Sequence, residues 1–347
     1  MKSKAAILNK LNEPLLIEDI EIPDLKCGQA LIKVYCSSIC GAQIGEISGA
    51  KGEDKYLPHL LGHEGGGIVC DIGEGVTQVK KGDHIVLHWR KGLGIEAPFP
   101  KYKYSGGILG GGSITTFNEY AVISENRLTV IDKTIPFEIA ALMGCSVTTG
   151  LGLINNEAKL KIGRSVVIIG CGGVGLNVIQ GASMVSANPI IAIDRYYNKL
   201  IIASSYGATH SITNADSDID IVSEVLKITG RKGADVVIDC TGVVDLINLG
   251  YKMTSSNGKM ILVGQPKYNE NLTFSSMRDH YCGKTIMDSQ GGLTNPNIDI
   301  PQYLNLYLQG KLRLDDMISH RFPLEKVNDA LNLIKCGIGN KFILRME

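Results

Sequence analysis

The chain has 347 residues and a net charge of zero, with 35 basic residues balancing 35 acidic ones. The length fits about two domains, and the 44% hydrophobic fraction is enough for sizeable cores. The balanced charge argues against nucleic acid or an anionic membrane as a partner, and the hydrophobicity argues against intrinsic disorder.

The sequence predicts neither a secretory signal nor a membrane span. Met1–Pro14 contains only a short apolar run, Ala5–Leu8, whereas a secretory signal needs a core of about 7–15 apolar residues. No run elsewhere approaches the roughly 18 apolar residues of a membrane span. We therefore expect a soluble, cytoplasmic protein whose 9 cysteines are thiols or metal ligands rather than disulfides.

The first part of the chain is rich in short β-like segments that Gly, Pro and Asp separate. Regular spacing of this kind is typical of a mostly β domain. The predicted strands are Lys4–Leu8, Leu15–Ile22, Ala30–Tyr35, Gly67–Ile72 and Glu119–Ile123.

From roughly residue 150 to residue 290, strands alternate with helices, which predicts a doubly wound parallel sheet. The predicted strands are Ser165–Ile169, Ile190–Ile193, Asp235–Asp239 and Lys259–Val263. The predicted helices are Val174–Val185, Asn198–Tyr206, Ile219–Ile228 and Val243–Met253. Beyond this region we expect helices at Pro301–Leu308 and Leu324–Ile334, and a strand at Lys341–Met346.

A glycine-rich loop follows strand Ser165–Ile169 and opens the next predicted helix. Its sequence, Gly170-Cys171-Gly172-Gly173-Val174-Gly175, matches the G-x-G-x-x-G pattern that lets backbone and a helix N-terminus approach a pyrophosphate. A bare match would equally suit a turn between packed elements. Asp194, however, ends the following strand about 20 residues on, where an acid accepts hydrogen bonds from ribose hydroxyls. The loop therefore predicts a dinucleotide site.

Asp194 also bears on the choice of cofactor. Its carboxylate would repel a 2′-phosphate, which favours NAD over NADP. The neighbouring Arg195 leaves the alternative open, because a guanidinium could accept that phosphate. Lys199, in the next predicted helix, completes the cofactor-binding candidates in this region.

Cys40, His63 and Cys145 are candidate metal ligands. Two thiolates and one imidazole leave a tetrahedral zinc with one open position, as a catalytic site requires, and zinc can lower the pKa of a bound alcohol. Spacing this long is weak evidence by itself, because a lone cysteine is more often a small buried hydrophobe. We interpret the remaining Cys and His residues as structural or surface residues: Cys27, Cys36, Cys70, Cys171, Cys240, Cys282, Cys336, His59, His84, His88, His210, His280 and His320.

Taken in order along the chain, these motifs resemble the medium-chain, zinc-dependent alcohol dehydrogenases. The resemblance rests on Cys40-Gly41, Gly62-His63-Glu64-Gly65, Gly82-Asp83, Cys145 and Gly170–Gly175, and Ala158–Gly181 is most similar to alcohol and glutathione-dependent formaldehyde dehydrogenases. It implies that Cys40, His63 and Cys145 bind zinc and that Glu64 binds it transiently as ligands exchange. It also implies that Lys341 faces the cofactor pyrophosphate.

The resemblance further implies an α/β architecture of two domains. A GroES-like β catalytic domain would comprise residues 1–147 and 291–347, and a Rossmann NAD-binding domain residues 148–290, with the active site in the cleft between them. Members of the family are mostly dimers or tetramers. We therefore expect a homo-oligomer, in which Lys284–Ser289 is the candidate strand for pairing across subunits.

The chain departs from the family pattern at three points. His88–Thr116, where many relatives carry a structural zinc on four cysteines, contains no cysteine, so we expect one catalytic zinc per chain and no structural zinc. Ala42 replaces the Ser or Thr that passes on the substrate proton, and Gln43 replaces the Asp that orients the ligand His. No His ends such a relay, so Thr149, Glu64, a water or a ribose hydroxyl would have to carry the proton instead.

Segment His88–Thr116 is instead basic and aromatic, with His88-Trp89-Arg90-Lys91 and Lys101-Tyr102-Lys103-Tyr104 on either side of a Pro-containing loop. It is either a solvated or subunit-contact loop, or a surface that recognises an anionic or sugar-like substrate. Arginine suits phosphate or carboxylate groups, and aromatic faces suit sugar rings.

We predict a zinc-dependent oxidoreductase that transfers hydride between NAD and an alcohol or carbonyl substrate. Ala42 and the basic segment favour a polyol, a sugar-derived or an otherwise functionalised alcohol, such as an anionic one, over ethanol, and a glutathione adduct of formaldehyde is a less favoured alternative. Two alternatives remain: a zinc-free quinone or enoyl reductase of the same superfamily, and a non-catalytic nucleotide-binding protein. The presence of Cys40, His63 and Cys145 argues against the first, and Ala42 is the main support for the second.

Overall fold

The structure, a computed structural model, describes residues 1–215, 218–273 and 281–346. The chain divides into two compact units: the β unit, Met1–Thr148 and Asn295–Glu347, and the α/β unit, Thr149–Thr294. His280, which we interpret from the sequence as structural or surface, lies outside the described residues.

The elements are numbered in chain order. The strands are β1 Lys2–Leu8, β2 Leu16–Glu21, β3 Gln29–Ser38, β4 His59–Leu60, β5 Glu64–Ile72, β6 His84–His88, β7 Lys101–Tyr104, β8 Gly107–Gly110, β9 Tyr120–Ser124, β10 Leu128–Val130, β11 Val166–Ile169, β12 Ile190–Asp194, β13 His210–Thr213, β14 Ala234–Asp239, β15 Thr254–Leu262, β16 Thr285–Asp288, β17 Ile318–Pro323 and β18 Lys341–Arg345. The helices are α1 Gly41–Ile47, α2 Phe137–Met143, α3 Ser146–Gly152, α4 Gly173–Met184, α5 Tyr197–Ser205, α6 Ile221–Ile228, α7 Val244–Met253, α8 Pro296–Leu308 and α9 Val327–Lys335. A π-helical turn, Leu153–Ala158, follows α3.

The β unit contains a closed barrel in the order β1-β2-β7-β8-β4. The hairpin of β7 and β8 lies in the segment where the resemblance locates the structural zinc in many relatives. Tyr102 of β7 points into the barrel, fully buried, and its hydroxyl accepts the Val122 N–H at 2.9 Å. Its neighbours Lys101 and Lys103 are exposed, as strand alternation requires. Part of this segment therefore belongs to the barrel wall.

A second sheet of the β unit positions the candidate metal ligands. Its described strands run in the order β10-β6-β5-β3-β18-β17, with β9 also paired to β3. β3 and β5 are antiparallel, and Ser37 lies opposite Gly65. The residues just after β3 and just before β5 therefore emerge at the same end of the sheet.

The α/β unit is built on a parallel sheet whose described strands run in the order β13-β12-β11-β14-β15-β16. Strands β11 and β12 are buried runs of Val, Ile and Ala, as expected for strands covered on both faces. The direction of strand order reverses between β11 and β14, which makes this the topological switch point of the sheet. In doubly wound folds, ligands bind beyond the carboxyl ends of the strands at such a point. The predicted fold class, a β domain plus a doubly wound parallel sheet, is confirmed.

The observed boundary between the units differs slightly from the predicted one after residue 290. Segment 291–294 stays with the α/β unit, because Gly292 O accepts the Asn156 side-chain amide at 3.0 Å and Gly292 N donates to Ser289 Oγ at 3.0 Å. The other boundary falls inside α3, after Thr148 rather than after residue 147.

Among the described residues, no single helix is both long enough and apolar enough to cross a membrane. One bent pair of helices, Phe137–Met143 with Ser146–Ala158, has the length and composition of a membrane span, on those two properties alone.

Candidate metal centre and cofactor site

Cys40, His63 and Cys145 come together in the β unit. One ligand atom from each lies within 4.8 Å of the other two. Cys40 caps the N-terminus of α1, His63 precedes β5, and Cys145 lies between α2 and α3. The structure thus unites the three residues that the resemblance names as zinc ligands.

Two local features of the chain produce this convergence. The pairing of β3 with β5 brings Cys40 and His63 to one end of the sheet. Gly144 then lets the segment carrying Cys145 approach, since a Cβ at this position would lie 2.3 Å from Leu87 O and 2.7 Å from Glu64 Cα. Any larger residue would push Cys145 away from the other two side chains.

The two sulfur atoms are hydrogen-bonded to each other. The Cys145 thiol, hydrogen-bonded to Cys40, holds the pKa of Cys40 well below its ordinary value, and His63 acts in the same direction against the effect of burial. The same hydrogen bond and burial hold the pKa of Cys145 well above its ordinary value. The pair therefore offers two sulfur donors at one point, where a divalent cation can replace thiol protons.

His63 directs an unsatisfied nitrogen into the cluster. Its Nε2 is buried and has no hydrogen-bond partner among the described residues. Burial alone would lower the pKa of His63, but the neighbouring Cys40 sulfur more than offsets this, and the pKa is raised. An orphaned buried imidazole nitrogen beside two sulfurs fits zinc, which takes both ligand types.

Gln43 of α1 orients His63 from the opposite side. Its amide nitrogen contacts His63 Nδ1, and its Oε1 accepts the Cys40 N–H at 3.1 Å. With a metal on Nε2, Nδ1 carries the proton, and a flip of the amide would present Oε1 to it in exchange for the hydrogen bond from the Cys40 N–H. A neutral amide thus occupies the position that the resemblance gives to a carboxylate.

Glu64 is not among the three residues whose ligand atoms lie together. Both of its oxygens are engaged elsewhere: Oε1 accepts from Lys341 Nζ at 2.6 Å and Oε2 from Ser146 N at 3.2 Å. Burial raises the pKa of the Glu64 carboxyl, and Lys341 opposes this without cancelling it. Transient binding of Glu64 to the metal stays a prediction.

Lys341 is 3% exposed and forms a buried ion pair with Glu64. Burial alone would lower the pKa of Lys341, but the Glu64 carboxylate more than offsets it and the pKa is raised. Its Nζ also donates to Ile39 O at 3.3 Å. The sequence did not reveal this pairing, because the two residues lie at opposite ends of the β unit's chain. The predicted contact of Lys341 with a pyrophosphate stays a prediction.

The structure also gives the locations of two residues that bear on transfer of the substrate proton, Ala42 and Thr149. Ala42 is the second residue of α1 and offers no hydroxyl group. Thr149 is buried in α3 and belongs to the α/β unit, and its role in proton transfer stays a prediction.

The glycine loop has the backbone that a pyrophosphate site needs. Gly170 has φ +94°, a conformation that other residues rarely adopt. A Cβ on Gly172 would meet nothing within 4 Å, so the space in front of the N-terminus of α4 is open. A Cβ on Gly175 would lie 1.9 Å from Gly170 O, so only glycine lets α4 pack on the loop. Gly173 and Val174 form the first turn of α4.

Asp194, at the end of β12, holds the glycine loop and the next segment together. Its Oδ2 accepts the Cys171 N–H at 2.8 Å, and its Oδ1 accepts the Tyr196 N–H at 2.9 Å. Arg195 and Lys199 both stack on the Tyr196 ring, 4.7 Å and 5.1 Å from its centroid. The predicted cofactor residues of the α/β unit are therefore neighbours at one end of the sheet.

Much of the basic and aromatic segment has a structural role. His88 is buried, with Nδ1 donating to Arg90 O at 2.7 Å and Nε2 bonded to Thr129 Oγ1 at 3.0 Å. Trp89 packs against the core of the β unit. Lys91 pairs with Glu96, which also pairs with Arg127. Lys101 and Lys103 remain exposed on β7.

Comparison with known proteins agrees with this geometry. The family model described as "Alcohol dehydrogenase GroES-like domain" matches residues 26–133, and the one described as "Zinc-binding dehydrogenase" matches residues 173–309. "Alcohol dehydrogenase-like 2" of Arabidopsis thaliana is 32% identical, covering 100% of this chain and 97% of the relative. "Probable S-(hydroxymethyl)glutathione dehydrogenase 1" of Schizosaccharomyces pombe is 31% identical over 95% of this chain and 93% of the relative.

A solved structure extends the comparison to the fold. Benzyl alcohol dehydrogenase from Acinetobacter calcoaceticus superimposes with a TM-score of 0.90, at 26% identity and over 100% of both chains. Family models, relatives and structure all describe one kind of zinc-dependent oxidoreductase. The chain belongs to the medium-chain, zinc-dependent alcohol dehydrogenase family.

Proposed function

We propose that this oxidoreductase is an NAD-dependent alcohol dehydrogenase with one catalytic zinc per chain, held by Cys40, His63 and Cys145. The observation that carries the proposal is the buried cluster with its unpartnered His63 Nε2. A metal-free reductase of the same superfamily has no need for two sulfurs and an imidazole aimed at one point. The same donors argue against a non-catalytic nucleotide-binding protein.

Each residue around the cluster would have a definite task. When bound, zinc supplies a Lewis acid that lowers the pKa of a substrate hydroxyl. Cys40 and Cys145 bind as thiolates, Gln43 fixes the ring of His63, and Lys341 balances the charge of Glu64 behind the ligands. The cysteine-free segment His88–Thr116 supports the absence of a structural zinc.

The cofactor would bind at the glycine loop. The pyrophosphate would lie over the open face of Gly172, at the N-terminus of α4, where free N–H groups and the helix dipole favour negative charge. The remaining lone pairs of Asp194 would accept the ribose hydroxyls, and its charge would exclude a 2′-phosphate. Lys199 and Arg195 would cover the adenosine side.

For the substrate we propose an alcohol larger and more polar than ethanol. The relatives named above act, by their names, on S-(hydroxymethyl)glutathione and on benzyl alcohol, both larger than ethanol. Ala42 supports the same conclusion, because it provides no hydroxyl to take up the substrate proton. A polyol or an anionic alcohol can supply a neighbouring hydroxyl or an ordered water for this purpose.

Metal content and turnover test the proposal together. After purification with a chelator, the protein should hold one zinc per chain and reduce NAD⁺ in the presence of a suitable alcohol. Cys145→Ser should remove both properties but leave NADH binding intact, while Cys70→Ser, a cysteine of β5 outside the cluster, should change neither. Zinc retention in Cys145→Ser, or preference for NADPH, would contradict the assignment.

A substrate panel tests the role of Ala42. We expect polyols and anionic alcohols to exceed ethanol in kcat/KM, and Ala42→Ser to raise ethanol turnover more than polyol turnover. If ethanol is already the best substrate and Ala42→Ser has no effect, another group carries the proton.

We further propose that the protein is cytoplasmic and that it forms a homo-oligomer. Within the described residues β16 is an edge strand of the parallel sheet, which leaves one side of it free to pair with a second copy. Mass measurement in solution tests the oligomer.

A further inference from the structure

A second group of convergent metal-type ligands lies in the β unit, apart from the cysteine cluster. It consists of Glu46 in α1, Asp54 in the segment after α1, and His59 in β4. One ligand atom of each lies within 4.8 Å of the others. We propose that these three side chains form a second divalent-cation site, weaker than the cysteine cluster and able to exchange its ion.

Each of the three side chains directs one donor atom toward the other two side chains. Its second polar atom contacts a group outside these three side chains. His59 Nε2 lies 2.8 Å from Asp54 Oδ2 and 3.9 Å from Glu46 Oε1. The outer atoms have separate partners: Lys51 Nζ lies 3.3 Å from Glu46 Oε2, and the Tyr56 N–H donates to Asp54 Oδ1 at 2.9 Å. The inner atoms are therefore presented together, as in a built coordination site.

His59 also has the tautomer that metal binding requires. Its Nδ1 lies 2.8 Å from Leu60 O, a carbonyl that can only accept, so Nδ1 carries the proton. Nε2 faces the two carboxylates and is hydrogen-bonded to Asp54 Oδ2 at 2.8 Å, so a bound cation would replace that hydrogen bond. A histidine that binds a metal almost always donates its other N–H to a carbonyl or carboxylate in this way.

The separations within the group suit a metal ion. Two carboxylates converge on one imidazole, with Lys51 on the outer side of Glu46, so a divalent cation would add positive charge where the carboxylates meet. The ligands of a tetrahedral ion lie roughly 3.4 Å apart, given metal–ligand distances of about 2.1 Å. The two inner contacts, at 2.8 Å and 3.9 Å, bracket this separation and need shift by only about half an ångström.

The donor set selects the class of cation. One imidazole and two carboxylates, with water completing the shell, suit Mn²⁺, Co²⁺ or Zn²⁺, whereas the absence of thiolate reduces affinity relative to the cysteine cluster. All three side chains are partly exposed, which gives an ion access from solvent. Such an ion would tie α1, which begins next to Cys40, to β4, which leads to His63.

Mn²⁺ binding to the zinc-loaded, full-length protein tests the proposal. Mn²⁺ lies below Zn²⁺ in affinity for a given site, so it will not displace zinc from the cysteine cluster. Electron paramagnetic resonance of free Mn²⁺ should show one saturable site per chain. His59→Gln and Asp54→Asn should each weaken binding at least ten-fold, and Lys51→Met should strengthen it by removing a nearby positive charge.

His210→Gln is the matched control, because His210 is exposed on β13 and its Nδ1 bonds only to Thr209. It should bind Mn²⁺ like the unmodified protein. If His59→Gln or Asp54→Asn does not fold, Glu46→Gln in α1 provides the same comparison. Absence of saturable binding, or equal binding in all variants, overturns the proposal. Zinc content and alcohol oxidation, measured on the same samples, report separately on the proposed function.

Discussion

Two histidines on one short stretch of chain, His59 and His63, lie in opposite chemical surroundings. His63 faces two sulfurs, and its Nε2 has no hydrogen-bond partner among the described residues. His59 faces two carboxylates, and its Nε2 already contacts Asp54. Under the two proposals, the partners and burial of the imidazole, rather than its place in a motif, decide whether it holds an ion firmly or exchangeably.

The largest effect is expected from a substitution that removes one ligand of the sulfur cluster. Cys40→Ser should lower zinc affinity by more than about 100-fold, the upper end of what loss of an outer partner costs. Turnover should fall with it, and Mn²⁺ binding at the carboxylate group should persist. Chelator competition measures the zinc affinity. Simultaneous loss of both metals would mean that the two groups are not independent.

The next effect concerns the buried charges behind the sulfur cluster. Lys341→Met should destabilise the protein by about 3–5 kcal/mol, because it leaves Glu64 buried and unpaired. Adding Glu64→Gln should restore most of this loss. Lys326→Met, in an exposed pair with Asp329, should cost about 1 kcal/mol or less. Urea unfolding measures all three, and a double variant as unstable as Lys341→Met would contradict the explanation.

His88 extends the comparison, because it is more deeply buried than His63 and has hydrogen-bond partners on both ring nitrogens. Burial lowers the pKa of His88 to about 4. The unfolded chain then binds a proton from about pH 6.5 downward while the folded chain does not, so stability falls by about 3 kcal/mol as the pH falls to 4. His88→Gln should remove this part of the acid sensitivity in unfolding measured between pH 7 and pH 4.5. An unchanged pH slope would contradict the assignment.

The smallest expected effect concerns the partner of His63. Gln43→Leu should weaken zinc binding by roughly 10–100-fold, since the ring loses the group that orients it. Gln43→Glu, with a charged acceptor, should bind zinc at least as tightly as the unmodified protein. Chelator competition compares the variants. Equal affinity in Gln43→Leu would mean that packing alone fixes the ring.

The sequence predicted the α/β unit closely and the β unit less well. Strands such as β11 and β12 are buried apolar runs bounded by glycine or charge, and their predicted ends agree with the structure to within about two residues. The sequence analysis did not predict strands β7 and β8. Their hairpin is short, Lys101 and Lys103 make it look polar, and Tyr102 is its only deeply buried aromatic residue. Local pattern cannot show that such a hairpin closes a barrel.

The site residues also differ in how far the sequence could predict them. The glycine loop and Asp194 are local signals with a known spacing, so the residues themselves predicted them. Cys40 and Cys145 came from the family resemblance, since no spacing rule joins residues so far apart. The Glu64–Lys341 pair and the group around His59 depend on tertiary contacts, which is why His59 was interpreted as structural or surface.

The wide separation of the sulfur ligands also bears on how the protein matures. Cys40 and Cys145 lie about a hundred residues apart, so the chain must close a long loop before both residues can coordinate one ion. Glu46 and His59 are separated by only roughly a dozen residues, so their contact forms early and with little loss of chain entropy. We expect the polypeptide to fold around an empty sulfur cluster and to acquire its zinc last. During biosynthesis, zinc supply would then limit how much enzyme is active rather than how much is folded.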